Sequence, residues 1–442
     1  MLIFIRKNTG SKPLGASALF ASLLLGLLLP SAAADSRDEE IRLLRQELEV
    51  LRERLERLER AEQVREQAGR HGPALPQTTA VSEPRSAPGP AEEAEAEPAI
   101  EFTGALRFNA YVRDFDRGSK NRKGDSGFEL FRIGVRGKKD DFLISAEYRF
   151  YPYMDILHHG WIGYEFAEEH QVMLGVSQVP FGLLPYAAHN YWFGVPYYLG
   201  LADNHAMGLQ YQNQVEDWDL RLAFYKNPAI EDATNLNRYA FGVVRVGDQQ
   251  NQQSNQLNAR LARTFESPEG NTSELGLSTQ VGQLYNQVTR RNGNHWAIAA
   301  HWDARIQRWN AQIQLLRYQF NPENPTGVSD RVVTLGALAS HYDIASEGTV
   351  AVANLAYTVP LTQAFIDQLI LYNNFSILNK DDSAFRDSQI NTLGAAIGVG
   401  PLFMYLDWIQ AKNMPYFGDG SLAGEGESSW KSRFNFNLGY YW

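Results

Sequence analysis

The chain contains no cysteine. Disulfide staples, thiol catalysis and thiolate metal sites are therefore excluded. Beyond Leu29 it has no apolar run approaching the roughly 20 residues that a membrane-crossing helix requires. It carries no G-x-S-x-G nucleophile motif and no phosphate-cradling P-loop. An excess of positive charge is also missing. There are 41 Lys and Arg against 51 Asp and Glu, for a net charge of −10, and no nucleic-acid partner is expected. A chain without an apolar helix can still enter a membrane, provided its strands close into a barrel that satisfies every backbone group.

What is present divides into four segments. Arg6, Lys7 and Lys12 precede the apolar run Ala16 to Leu29, and the small residues "SAAA" precede Asp35. This is the order of a secretory signal over residues 1–34, cleaved after Ala34. The run is short for an anchor that spans a membrane. In residues 35–66, Ile41, Leu44, Leu48, Leu51, Leu55 and Leu58 alternate three and four apart. That seam predicts a short coiled-coil helix. It lasts under three heptads, so the alternative is a single solvated helix, which is marginal in isolation. Residues 67–100 are rich in Pro, Ala and Glu and read as a flexible linker.

From Glu101 the texture changes. Leu106, Phe108, Ala110 and Val112 alternate with Arg107, Asn109, Tyr111 and Arg113. Phe142, Ile144, Ala146, Tyr148 and Phe150 alternate with Ser145, Glu147 and Arg149. Similar segments recur to the closing "WKSRFNFNLGYYW", where Trp430, Phe434, Phe436, Leu438, Tyr440 and Trp442 share one parity. Successive side chains of a strand face opposite ways. One face is thus fatty and the other polar, as in the wall of a membrane barrel. A secreted sandwich also alternates, but would usually divide this length into more than one domain. The expectation is an all-β fold, a transmembrane antiparallel barrel of about 16 strands over residues 101–442. Phe434, Phe436, Leu438, Tyr440 and Trp442 are the candidate assembly signal for the outer-membrane barrel-assembly machinery.

On this parity Arg107, Arg113, Arg132, Arg136, Arg149, Arg221, Arg260, Lys431 and Arg433 face the lumen. Glu147, Asp219 and Asp407 are the clear inward acids. Guanidinium forks suit carboxylates and phosphates, and rings of such charges select anions. The competing reading is that these arginines pair with lumen acids and brace the wall. Pro180, Pro185 and Pro196 break the strand rhythm, since proline cannot donate to a ladder. Around them Tyr186, Tyr191, Trp192, Tyr197 and Tyr198 are candidates for a loop that narrows the channel; an ordinary loop on the rim is the alternative. His158 and His159 are adjacent, and His295 and His301 share one strand, without a metal spacing. No metal or cofactor is expected.

The segments "GALRFNAYVRDFD", "SGFELFRIGVRGKKDDFLISAEYRF", "LHHGWIGYEF" and "VMLGVSQVPFGLLPY" occur in an order that resembles the phosphate-selective porin O/P family of Gram-negative outer membranes. Gly175, Gln178, Pro180, Phe181 and Gly182 match that family's G-Q-x-x-x-P-F-G strand end. Phe131 stands where its first paired Arg is common, while Arg132 and Arg136 remain. The chain is also similar to trimeric dicarboxylate-uptake porins with an N-terminal coiled coil. The resemblance implies a sixteen-stranded, usually trimeric barrel that passes small anions through a loop-narrowed lumen. Phosphate selectivity is not implied, because no Lys or Arg lies between Leu183 and Asn204. The resemblance places the protein in the outer membrane, with the coiled coil in the periplasm and lipid, small anions and two further copies as partners. A general porin is the nearest rival. A barrel hydrolase and an envelope-tethering protein are the rivals from other classes.

Overall fold

The computed structural model describes residues 99–442 apart from 168, 228–238, 362–364 and 425–428. The signal, the coiled coil and nearly all of the linker lie outside the described residues. The first strand begins at Ala99.

Nineteen strands are described. They are β1 (Ala99–Arg113), β2 (Asp125–Lys139), β3 (Phe142–Phe150), β4 (Asp155–Ala167), β5 (His170–Gln178), β6 (His205–Val215) and β7 (Trp218–Tyr225). There follow β8 (Gly242–Val243), β9 (Asn251–Glu266), β10 (Thr272–Asn286), β11 (Asn292–Ile306), β12 (Trp309–Asn321), β13 (Val332–Ala337) and β14 (Ser340–Ala345). The last are β15 (Glu347–Thr358), β16 (Gln368–Lys380), β17 (Ser388–Val399), β18 (Leu402–Lys412) and β19 (Lys431–Tyr441). Two short helices, α1 (Arg117–Arg122) and α2 (Val195–Tyr198), lie in connections.

Sixteen of these strands close into one antiparallel barrel, and β8, β13 and β14 form a small separate sheet. Closure joins β1 to β19, from Ala105 opposite Tyr441 to Arg113 opposite Arg433. The expected fold class and strand number are those observed. Connections at one end are tight, such as the two-residue turns after β2 and β6. Those at the other end are long, including residues 179–204 between β5 and β6 and residues 413–430 before β19. Short turns at one end and long loops at the other are usual for outer-membrane barrels.

The alternation of the sequence maps onto this wall. Phe142, Leu222, Leu277, Ile298, Leu315, Leu393 and Phe434 are exposed on the outside. Ser278, Gln280, Gln314, Asn354, Asn374 and Ser376 are buried on the inside. Trp442 completes the seam. Its backbone exchanges hydrogen bonds with Gly104, at 2.9 and 3.2 Å. Its indole lies over Gly104 and beside Phe131. A Cβ at position 104 would overlap that ring, so glycine there is what admits the terminal aromatic. Replacing Trp442 with Ser uncovers this outer patch and is expected to lower the yield of heat-modifiable barrel. Yield on denaturing gels of unheated membranes checks this; a yield equal to that of the unmodified chain counts against a role for Trp442 in closure.

Candidate functional site

The site is the barrel interior, and the β5–β6 connection occupies it. A barrel of this strand number is wide enough to hold water, yet here inward side chains around much of the wall are buried. Much of the cover is residues 179–204, joined by residues 239–243, 333–344 and 414–422. Backbone groups that leave a sheet and enter a protein interior need new partners. The inward amides and hydroxyls supply them. Gly182 N–H donates to Ser278 Oγ at 3.0 Å, and Leu183 N–H to Gln314 Oε1 at 2.8 Å. Asn354 Nδ2 donates to the Ala187 carbonyl at 3.0 Å. His189 N–H donates to Asn374 Oδ1 at 2.8 Å, and Val195 N–H to Ser376 Oγ at 2.9 Å. Arg260 Nε donates to the Gly182 carbonyl at 2.9 Å.

All five aromatic loop candidates lie in this segment. Tyr191, Trp192, Tyr197 and Tyr198 are buried, and Tyr186 packs against the same cluster. The Tyr191 hydroxyl reaches Glu129 on β2. Glu129 also takes Arg107 Nη2 at 2.7 Å and the Asn437 amide. This carboxylate thus ties the far side of the inward segment to β1, β2 and β19.

The predicted pore-lining cations are placed as follows. Arg107 and Arg149 are 0% exposed. Arg132 and Arg149 share Glu147, at 3.2 and 2.5 Å. Arg113 pairs with Asp116 at 2.5 Å. Arg221 and Arg260 share Asp219, at 3.0 and 2.9 Å, and Arg260 also pairs with Glu274 at 2.5 Å. Arg136 is exposed and pairs with Glu101 at 2.7 Å. Lys431 is half-buried at the start of β19. Arg433 makes no ion pair among the described residues. It lies between the rings of Tyr111 and Trp192, at 4.1 and 4.2 Å, and hydrogen-bonds Asn435 at 3.2 Å.

Two acids in this network, Glu129 and Glu274, were not on the inward list read from the sequence. Glu274 shares the inward parity of Gly276, Ser278 and Gln280 on β10. Glu129 has a structural cause. The β1–β2 register slips between Arg107 and Phe108, which pair with Leu130 and Phe128, so Glu129 is the extra residue of a bulge. A bulge re-aims a side chain and interrupts strict alternation.

A second bulge brings histidines together. The β3–β4 register slips at Glu147/Tyr148, whose partners are His159 and Leu157, and His158 is the extra residue. His158, His159 and His205 then cluster, with ring centroids 4.3 Å apart for His158–His205 and 5.1 Å for His158–His159. Asp203 adjoins them at the end of the inward segment. It accepts from Tyr239 OH at 2.6 Å and from Gln178 Nε2 at 3.2 Å. Burial pushes its carboxyl up to about 7, against the Tyr239 hydrogen bond. No spacing in the sequence connects His158 to His205.

No family model and no curated protein matches this chain. Solved structures do. OmpT, an outer membrane protein of Vibrio cholerae, is similar over 80% of this chain and all of its own, with a TM-score of 0.51 and 12% identity. The fold is that of the outer-membrane β-barrels. The outer membrane channel DcaP of Acinetobacter baumannii covers 79% of this chain and 99% of its own, at TM-score 0.50 and 12% identity. OmpF of Salmonella typhi covers 78% of this chain and 97% of its own, at TM-score 0.50 and 9% identity.

Proposed function

We propose that this protein is an outer-membrane porin that gives small anions, phosphate or small organic acids, passage across a Gram-negative outer membrane. In this reading the signal is removed, the coiled coil stands in the periplasm, and the assembly machinery reads the last strand. The barrel is a homotrimer held partly by that coiled coil. The reading rests on one observation: an apolar-walled barrel of sixteen strands whose polar interior receives a long connection from β5 to β6. Such a segment narrows a path rather than building a catalytic surface, which favours a channel over a hydrolase or a tether.

The anion preference is supported by the uneven balance on the β1–β3 and β19 side. There Arg132 and Arg149 share one carboxylate and Arg433 has none in ion-pair range among the described residues. The inward segment covers these charges, so passage requires it to shift from its wall contacts. On the other side the inward Arg221 and Arg260 are matched by Asp219 and Glu274, and this favours the weakly selective porin as second reading. Zero-current potentials of the purified protein in a bilayer under a salt gradient decide between the two. Anion-positive selectivity is expected; none at low ionic strength leaves the general porin, and no current at all removes both. Native mass in detergent is expected to correspond to three chains, and monomer alone for the full-length chain would sink the trimer.

A further inference from the structure

We propose that His158, Asp203 and His205 bind one divalent late first-row metal ion, in the first instance Zn2+, which fastens the end of the inward segment to the barrel wall. The inference goes beyond the channel reading and does not depend on it. Each of the three residues places a ligand atom within 4.8 Å of those of the other two. Zn2+ holds imidazole nitrogen at about 2.0–2.1 Å and carboxylate oxygen at about 2.0–2.2 Å. Side-chain adjustment alone therefore brings three such atoms to one ion.

Two independent features of this cluster call for a cation. The first is unmet nitrogen. His158 Nε2 and His205 Nδ1 are buried with no hydrogen-bond partner among the described residues. A buried polar atom without a partner costs about 1–3 kcal/mol and needs a reason. The second is a buried carboxyl group with no cationic partner. Asp203 is 2% exposed and forms no ion pair among the described residues. The nearby arginines are already engaged: Arg132 and Arg149 both hold Glu147.

The surrounding hydrogen bonds suit ligation. His159 Nε2 lies 2.8 Å from Ser145 Oγ. His159 Nδ1 lies 2.8 Å from His158 Nδ1. With His159 donating from Nε2 to the serine, its Nδ1 accepts from His158 Nδ1–H. His158 Nε2 then carries the lone pair, the tautomer a metal needs, and Glu147 Oε1 stands 3.7 Å from His158 Nδ1. A second nitrogen fixed by a neighbouring acceptor is the usual support of a metal-bound histidine. Asp203 keeps free lone pairs, since each oxygen receives one hydrogen bond and offers two acceptor sites. The Tyr239 ring, its centroid 4.3 Å from that of His158 and tilted by 44°, lies against the cluster. Imidazole with carboxylate and no thiolate suits Zn2+, Ni2+ or Cu2+ rather than Mg2+ or Ca2+. Glu147, bound to two guanidiniums, acts as an outer partner and leaves the ion only one ligating carboxylate.

The test is a Zn2+ titration of the untagged, full-length protein, folded in detergent and stripped with chelator. One Zn2+ per chain is expected by calorimetry, and Co2+ in its place is expected to give ligand-field absorption. His205→Gln and His158→Gln are each expected to weaken binding by more than the about 10–100-fold that losing an outer partner costs. His170→Gln, whose ring contacts Tyr211 at the short-turn end of β5, is expected to bind as the unmodified chain does. Heat-modifiability on a gel confirms that each variant is a barrel, and the titration of the unmodified chain stands without them. Absence of stoichiometric Zn2+ on the unmodified chain overturns the proposal. So does undiminished binding by both His158→Gln and His205→Gln, which would assign the metal to other histidines. None of these outcomes bears on whether the barrel conducts.

Discussion

Replacing Glu129 with Ala is expected to release the inward segment and to raise the ionic current through the barrel. Glu129 is 0% exposed and receives three donors, from Arg107, Tyr191 and Asn437. Removing it leaves the Arg107 guanidinium buried without an opposite charge. Breaking a buried pair by deleting one partner costs about 3–5 kcal/mol. The barrel ladder is untouched, so the cheapest relief is to hydrate Arg107, and that requires Tyr191 to leave. Each 1.4 kcal/mol is about tenfold in an equilibrium constant, so the displaced population is expected to rise on the order of a hundredfold or more. Glu129→Gln is the comparison. It retains an acceptor for Tyr191 and loses the charge, and it is expected to fall between the unmodified protein and Glu129→Ala. Single-channel current and protease cleavage within residues 179–204 are the readouts. Unchanged current together with unchanged cleavage in Glu129→Ala would show that this carboxylate does not hold the segment.

Which parts of this molecule were legible follows from the period of a strand. Where alternation is unbroken, as in β19 from Lys431 to Tyr441, reading parity gives the wall directly: Phe434 outside, Arg433, Asn435 and Asn437 inside. Sixteen strands and one closed sheet follow from enough such segments without a linker. Parity fails at a bulge, because one extra residue shifts the phase. Glu129 and His158 are both extra residues of this kind, and both turn out to organise the interior. The prolines and aromatics around Tyr191 signalled a break in the sheet but not its direction. The direction is set by acceptors on strands far away in sequence, Asn374 and Ser376 on β16 among them. Those inward amides were visible as a polar parity. Nothing local says that they bind a loop's backbone rather than water. Likewise His205 and Asp203 meet His158 past the end of the intervening β5, and no linear motif records it.

Arg433→Gln is expected to lower the anion-to-cation permeability ratio more than any other single arginine replacement. The guanidinium sits opposite Arg113 in the β1–β19 pairing, and like charges directly opposite disfavour each other. Arg113 has Asp116 at 2.5 Å. Arg433 has two aromatic rings and one amide instead, and its Nε and Nη1 have no partner among the described residues. Its charge is therefore carried into the interior field with little local compensation. A unit charge acts on an ion ~12 Å away with about 1.4 kcal/mol at an effective dielectric of 20, which is about tenfold for each ion and, with opposite signs for anion and cation, about a hundredfold in the ratio before screening. Arg136→Gln provides the contrast. That side chain is exposed and doubly bonded to Glu101, and exposed pairs contribute little. Arg132→Gln is expected to lie between them, because Arg149 continues to hold Glu147 at 2.5 Å. Zero-current potentials at low and at high salt supply the measurement. The Arg433 effect is expected to shrink as salt rises, since the Debye length falls from about 10 Å at 0.1 M to about 3 Å at 1 M. A ratio unchanged in Arg433→Gln, or a larger loss in Arg136→Gln, would place the selecting charge at the barrel mouth instead of beside Trp192.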